Sequence, residues 1–228
     1  MKRIGILGGM SYESTIKYYN LILQGYYKKY NDYNYPEVVI FSLNFQKVID
    51  YELGEDKEEY VNYLMTGIKS LENSGANFII MAANSPHAVY EDLSQLTTLP
   101  LLSIVKATLE DAMDKNMKNL LLLGIKFTMQ STFYQDYSRE LGIRITTPSL
   151  KEQNEIDKII FDELVIGSFK QESKDRLIQI INNYKVDGVI LGCTELPLIL
   201  DKNDTKYKLL DTIELHVKAA LDYYISLH

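Results

Sequence analysis

Ile4-Gly5-Ile6-Leu7-Gly8-Gly9 and Leu120-Leu121-Leu122-Leu123-Gly124 are the same kind of segment, a short apolar run closed by glycine. A second pair repeats the relation at a similar offset: Ile79-Ile80-Met81-Ala82-Ala83-Asn84-Ser85 and Val189-Ile190-Leu191-Gly192-Cys193-Thr194-Glu195. Near-continuous apolar runs mark strands that are buried on both faces, as in a parallel sheet. Similar strand-to-loop junctions at similar spacing are what duplication of one α/β unit leaves behind. The expected fold class is α/β, with two pseudo-symmetric domains, each a four-stranded, mostly parallel sheet flanked by helices.

Eight strands are expected: Arg3 to Gly8, Val38 to Leu43, Phe78 to Ala82, Leu101-Leu102, Leu120 to Leu123, Ile143 to Thr146, Val189 to Leu191 and Tyr207 to Leu210. Between them lie helical stripes at i, i+3, i+4, i+7 spacing, such as Val61, Leu64, Ile68 and Leu71. Leu177, Ile180, Ile181 and Tyr184 form another, and Val217, Ala220, Leu221 and Tyr224 a third. Each stripe is expected to face a sheet. The domain boundaries fall at residues 1–103 with 212–228 for the first domain and 104–211 for the second, the last helix crossing back to the first half.

The composition excludes several classes of function. With 46% hydrophobic and 24% charged residues, the 228-residue chain reads as globular. Its net charge of -7 and its scattered basic pairs, such as Lys28-Lys29, argue against a nucleic-acid surface. The apolar start at Ile4 is too short for a signal peptide, and no run reaches the roughly 20 apolar residues of a membrane helix. A cytoplasmic protein is expected. The single cysteine excludes an internal disulfide and a multi-thiolate metal site. His87, His216 and His228 show no ligand spacing, so no metal is expected.

In an open α/β sheet the ligand crevice lies beyond the carboxyl ends of the strands, so the residues just after each apolar run carry the information. These are Gly9-Met10-Ser11, Ser42-Asn44-Gln46, Asn84-Ser85-His87, Lys126-Thr128 and Cys193-Thr194-Glu195. Gly8-Gly9-Met10-Ser11 lets a ligand approach bare backbone, makes a tight turn whose Ser and Glu cap the next helix (Ser11 with Ser14, or Ser11 with Glu13 in the first turn), or does both together. Asn84-Ser85-Pro86-His87 offers amide and hydroxyl groups, or equally a helix cap with proline in the first turn. Cys193 is either a small buried hydrophobe or a thiol whose pKa a helix N-terminus lowers, and Glu195 beside it is where an orienting or basic group belongs. His216, after Asp211-Thr212, either brings an imidazole to the crevice or packs.

Gly8-Gly9-Met10-Ser11-Tyr12-Glu13-Ser14-Thr15, Asn84-Ser85-Pro86-His87, Leu123-Gly124-Ile125-Lys126-Phe127-Thr128-Met129, Phe133-Tyr134, Glu163-Leu164 with Gly167, Leu191-Gly192-Cys193-Thr194-Glu195, and Asp211-Thr212 with His216 together resemble the aspartate/glutamate racemase family over nearly the whole chain. The resemblance implies a two-domain, pseudo-symmetric fold, usually dimeric. It implies a site between the domains and α-proton exchange by two residues on opposite faces of a small anionic amino acid, with no cofactor and no metal. In the usual pattern both residues are cysteines. Cys193 matches the second, whereas Ala83 stands at the first and cannot carry a proton.

The function expected is therefore amino-acid racemisation on aspartate, glutamate or a close analogue. Cys193 is the acid/base, with Glu195 and His216 as supports, and reprotonation on the other face falls to water, Ser85 or an acid near Ala83. Asn84, Ser85, Thr128 and Thr194 are expected by carry-over to hold the substrate carboxylate, with Met10 and Ser11 nearby; Lys126 and Gln46 are candidates for a distal carboxylate by location. The alternatives are a non-catalytic binder of small dicarboxylates or amino acids, and another carbanion reaction of the hydantoin-racemase kind.

Overall fold

The computed structural model describes residues 2–54 and 56–227. His228 lies outside them. The chain separates into two compact units: one runs to Ile104 and resumes at Ile213, and the other is Val105–Thr212.

In the first unit, β1 (Arg3–Gly8), β2 (Glu37–Ser42), β3 (Phe78–Met81) and β4 (Leu101–Leu102) form a sheet in the order β2-β1-β3-β4. In the second, β5 (Asn119–Leu123), β6 (Arg144–Thr146), β7 (Gly188–Leu191) and β8 (Lys208–Asp211) repeat it as β6-β5-β7-β8. Every pairing is parallel. The same strand order in both sheets is the structural counterpart of the repeated junctions in the sequence.

Strand alternation assigns the cores. In the first unit Ile4, Ile6, Phe78 and Ile80 point to one face, where they meet Tyr18 and Ile22 of helix Tyr12–Tyr30 and Ile213, Val217, Ala220 and Leu221 of helix Thr212–Ser226. Leu7, Ile79 and Met81 point to the other, against Leu64, Ile68 and Leu71 of helix Lys57–Asn73. In the second unit Leu121, Leu123, Val189 and Leu191 pack against Ile156 and Ile160 of helix Leu150–Asp162 and Leu177, Ile180 and Ile181 of helix Gln171–Asn182. The expected stripes are buried, except that Tyr184 is half-buried.

Strand ends depart from expectation by a residue. β2 stops at Ser42, opposite Gly8, and the Leu43 N–H makes the last bond of that ladder to Gly8 O, 2.9 Å away. β8 starts at Lys208, since the Tyr207 N–H goes to Thr205 Oγ1 and its hydroxyl to Tyr184 O.

In the loop after β1 the space over Gly9 itself is filled. Gly9 has φ +84°, and a Cβ there would lie 2.3 Å from Leu43 O and 2.4 Å from Leu43 N. Its N–H is already given to Thr15 Oγ1 at 2.9 Å. Gly9 is glycine because the end of β2 crosses it. Gly9→Ala should therefore cost about 2–4 kcal/mol, from left-handed strain plus the clash, read as a lower urea midpoint at unchanged slope.

Candidate active site

The cysteine sits in the turn after β7. Gly192 N–H donates to Leu123 O (2.7 Å), and a Cβ at Gly192 would lie 2.8 Å from that oxygen, so glycine alone lets the chain leave the sheet here. Cys193 follows, partly buried, and then a short helix, Leu196–Ile199, with Pro197 in its first turn. Glu195 occupies the N-cap position but its carboxylate does not cap. It bends back instead: Cys193 Sγ donates to Glu195 Oε2 at 2.9 Å, and Thr194 Oγ1 donates to the same oxygen at 2.6 Å. Thr212 Oγ1 donates to Leu191 O at 3.0 Å and ties the end of β7 to the residue after β8.

Of the two readings open for Cys193, a small buried side chain or a thiol acidified by a helix N-terminus, the second has its direction reversed in the structure. Burial pushes the Cys193 pKa well up, and the charge of Glu195 and its hydrogen bond push it further. Backbone N–H groups of Glu195 and Thr194 aimed at the sulfur pull the other way but do not win. A four-residue helix supplies little dipole to oppose a carboxylate in contact. At rest the sulfur is a thiol that donates to Glu195, with the backbone N–H groups of Thr194 and Glu195 aimed at it. Thr194 is also corrected: its O–H is committed to Glu195, which leaves its backbone N–H as the donor facing the sulfur.

The first unit presents the loop after β3. Ala83, Asn84 and Ser85 are buried there, and a 3-10 helix runs Ser85–Val89 with Pro86 in its first turn. Asn84 makes no side-chain capping bond. His87 holds the loop instead. Ile104 N–H donates to His87 Nε2 at 3.1 Å, so that nitrogen is the acceptor and Nδ1 carries the proton, directed at Asn84 O 3.2 Å away. His216 has the opposite tautomer, because Leu102 O can only accept: Nε2–H donates to it at 3.0 Å, and Nδ1 accepts from Tyr18 O–H at 2.8 Å.

Both imidazoles are buried and neutral. Burial, then the neighbouring His216, lowers His87 to about 3. Burial lowers His216 to about 4. Of the two placements open for His216, the structure has the packed one: both ring nitrogens are engaged in the first unit's core, where His216 anchors the end of β4.

Glu52, which sequence reasoning passed over, stands behind this loop. It lies on helix Phe45–Leu53, one turn beyond the buried Val48. Tyr60 O–H donates to Glu52 Oε1 at 2.8 Å, and the Ser85 hydroxyl bonds the same carboxyl group. Burial raises its pKa, outweighing these two bonds. The signal was present in the sequence: Phe45, Val48 and Glu52 fall at i, i+3, i+7, which puts a carboxyl on an apolar face.

The remaining candidates divide. The Met10 side chain is core, packed with Leu7, Leu43 and Val48, so only its backbone is left for a ligand. Ser11 caps helix Tyr12–Tyr30, accepting from Ser14 N–H. Gln46 is exposed and its amide donates along its own helix to Asp50 Oδ1 at 2.8 Å. Lys126 is exposed at the start of helix Lys126–Gln130, with its backbone N–H held by Asp157 Oδ1 at 2.6 Å. Thr128, on that helix, is 1% exposed, and its hydroxyl, like that of Ser14, has no hydrogen-bond partner among the described residues. Also among the described residues, no three His, Cys, Asp or Glu side chains are grouped to hold a metal ion, and no helix is long and apolar enough to cross a membrane.

A thiol with an adjacent carboxylate at one strand end, and a small-polar loop at the equivalent strand end of a repeated unit, is an arrangement with known relatives. The Asp/Glu/Hydantoin racemase family pattern matches residues 7–220. The broad specificity amino-acid racemase of Bacillus subtilis (strain 168) is 26% identical over 236 residues, covering 98% of each chain. Among solved structures, an aspartate racemase homologue from Pyrococcus horikoshii OT3 is 35% identical with a TM-score of 0.87, over 99% of this chain and 100% of that one. A candidate Asp/Glu racemase from Yersinia pestis is 30% identical with a TM-score of 0.92, at the same coverage. With a family match spanning most of its length and both sheets reproduced in these relatives, the chain belongs to the Asp/Glu/Hydantoin racemase family.

Proposed function

We propose that this protein interconverts the enantiomers of an amino acid, aspartate, glutamate or a close analogue, by exchanging the α-proton at Cys193. The observation that carries the reading is the Cys193–Glu195 contact, a thiol hydrogen-bonded at 2.9 Å to a buried carboxylate. Glu195 takes the thiol proton, the backbone N–H groups of Thr194 and Glu195 stabilise the thiolate, and the thiolate removes the α-proton. The α-proton is a weak acid, so the carbanion-like transition state needs donors fixed around the substrate carboxylate. The buried Thr128 hydroxyl, which has no partner among the described residues, is one such donor.

Ala83 favours a second reading, a small-acid binder without turnover. One experiment separates the two: NMR of L- and D-aspartate, glutamate and a set of neutral amino acids in deuterium oxide with the wild-type protein. Racemisation requires loss of the α-proton signal together with appearance of the other enantiomer. Thermal stabilisation by the same compounds with no deuterium uptake would favour the binder.

A further inference from the structure

Helix Tyr12–Tyr30 carries two apolar faces, and the first unit uses one of them. Ser14, Thr15, Tyr18 and Ile22 are buried, the last two in the core on one side of the sheet. The other face is the stripe Tyr12, Ile16, Tyr19, Leu23, Tyr26 and Tyr30. Tyr12 is 67% exposed and Ile16 53%, Tyr19 and Tyr30 are exposed as well, and Leu23 and Tyr26 are half-buried. Single exposed apolar residues are ordinary, but an unbroken line of them along a whole helix marks a contact surface. We propose that two copies of this chain meet along the stripe, their helices antiparallel about a two-fold axis that passes beside Leu21. The inference stands apart from the reaction put forward above.

The spacing of the stripe argues for a second copy as the occupant. Its steps of four, three, four, three and four residues are those of a coiled-coil seam. They also read the same from either end. An antiparallel copy therefore sets Tyr12 against the partner's Tyr30, Ile16 against the partner's Tyr26 and Tyr19 against the partner's Leu23. A surface that maps onto itself in this way is what an isologous two-fold contact requires, and the opposed helix dipoles favour it. None of the six residues is charged: Glu13, Lys17, Lys28 and Lys29 all fall outside the stripe. Aromatic side chains with charge kept aside are the composition of an interface core.

The face continues past the helix and reaches the size a dimer needs. Asn31, at φ 53°, ends the helix, its N–H donating to Tyr27 O at 2.7 Å. The chain then turns so that Tyr33 packs on Tyr27, ring centroids 5.6 Å apart, and Tyr35 on Tyr26 at 6.3 Å. The antiparallel arrangement lays the open ring of the partner's Tyr12 on this cluster. With about 200 Å² to an aromatic side chain, the exposed parts of the stripe together with Tyr27, Tyr33 and Tyr35 come to roughly 700 Å², close to the ~800 Å² that each partner gives to a stable interface.

Sedimentation velocity on the full chain tests the proposal. At about 10 µM the wild type should sediment as a species of twice 26.3 kDa. Ile16→Glu and Tyr19→Glu each bring two carboxylates into the seam, and each should weaken association by about 100-fold or more, leaving monomers at that concentration. Both positions are exposed, so the fold is kept, which a circular dichroism spectrum like that of the wild type checks. Either variant serves if the other does not fold. Disulfide formation in a Cys193→Ala background reads the orientation: Tyr19→Cys chains mixed with Leu23→Cys chains should link to one another more readily than either links to itself. A monomeric wild type overturns the proposal. So does a dimer that both glutamate variants leave intact, since the contact then lies on another face, and so does Tyr19→Cys linking preferentially to itself, which marks parallel helices.

Discussion

Replacing Cys193 with alanine is expected to lower racemisation by about 1,000-fold or more, a loss of about 4 kcal/mol of transition-state stabilisation. The expectation follows from there being one thiol in the chain and from its setting. The sulfur has a carboxylate to receive its proton and backbone N–H groups to hold its charge, and alanine keeps neither function. The melting temperature should move by only a few degrees, because the side chain removed is small and partly buried. A variant that folds, melts like wild type and still inverts substrate would overturn the thiol mechanism.

Glu195→Gln completes the argument with a signed shift. Glu195 raises the thiol pKa, so its neutral replacement should move the midpoint of iodoacetamide alkylation of Cys193 to lower pH while racemisation falls. A more reactive sulfur in a slower enzyme is the expected mark of a base removed rather than a thiol disabled.

The second large effect is on stability. Between pH 6.5 and 4.5 the protein is expected to lose about 5 kcal/mol, roughly 2–3 kcal/mol for each of His87 and His216. Both have folded pKa values far below the ordinary histidine value, about 3 and about 4, set first by burial. In this window the unfolded chain binds protons that the folded one refuses. Stability is therefore fully present above pH 6.5 and declines as pH falls toward the folded values. Urea melts across this range measure it. His87→Gln should be less stable at pH 7 but lose less on acidification, because only one buried imidazole remains. Below about pH 4 the lowered carboxylates, such as Asp187 and Glu163, add their own loss.

The central strands β1, β3, β5 and β7 were legible because strands buried on both faces leave apolar runs that need no partner to be recognised. The exact strand ends were not, since the bonds that set an end are not visible in the local pattern: Leu43 N–H closes the β1–β2 ladder on Gly8 O, Tyr207 N–H goes to Thr205 Oγ1 and the Tyr207 hydroxyl to Tyr184 O. Cys193 was conspicuous as the only thiol, but the direction of its pKa depends on which way Glu195 turns, and an N-cap glutamate more often faces its own helix. His216 was left between two placements and Glu52 was missed for one reason. Each sits on the apolar stripe of a helix, His216 between Ile213 and Val217, Glu52 one turn after Val48, and a polar residue in such a stripe is easily assigned to solvent. Buried polar side chains inside an apolar period are the places to look for bonded networks.

The first unit is split in sequence, and this matters on the ribosome. Ile4, Ile6, Phe78 and Ile80 wait for Ile213, Val217, Ala220 and Leu221 to cover one side of their sheet. At a synthesis rate of roughly 5–20 residues per second, that side stays open for about 7–27 s after Ile80 is made. The stretch from Val105 to Thr212, continuous in sequence, emerges whole in the interval and is free to fold first. The nascent chain thus passes through a stage with one finished unit and one sticky, half-covered sheet, the stage at which a chaperone that binds apolar strands has most to hold.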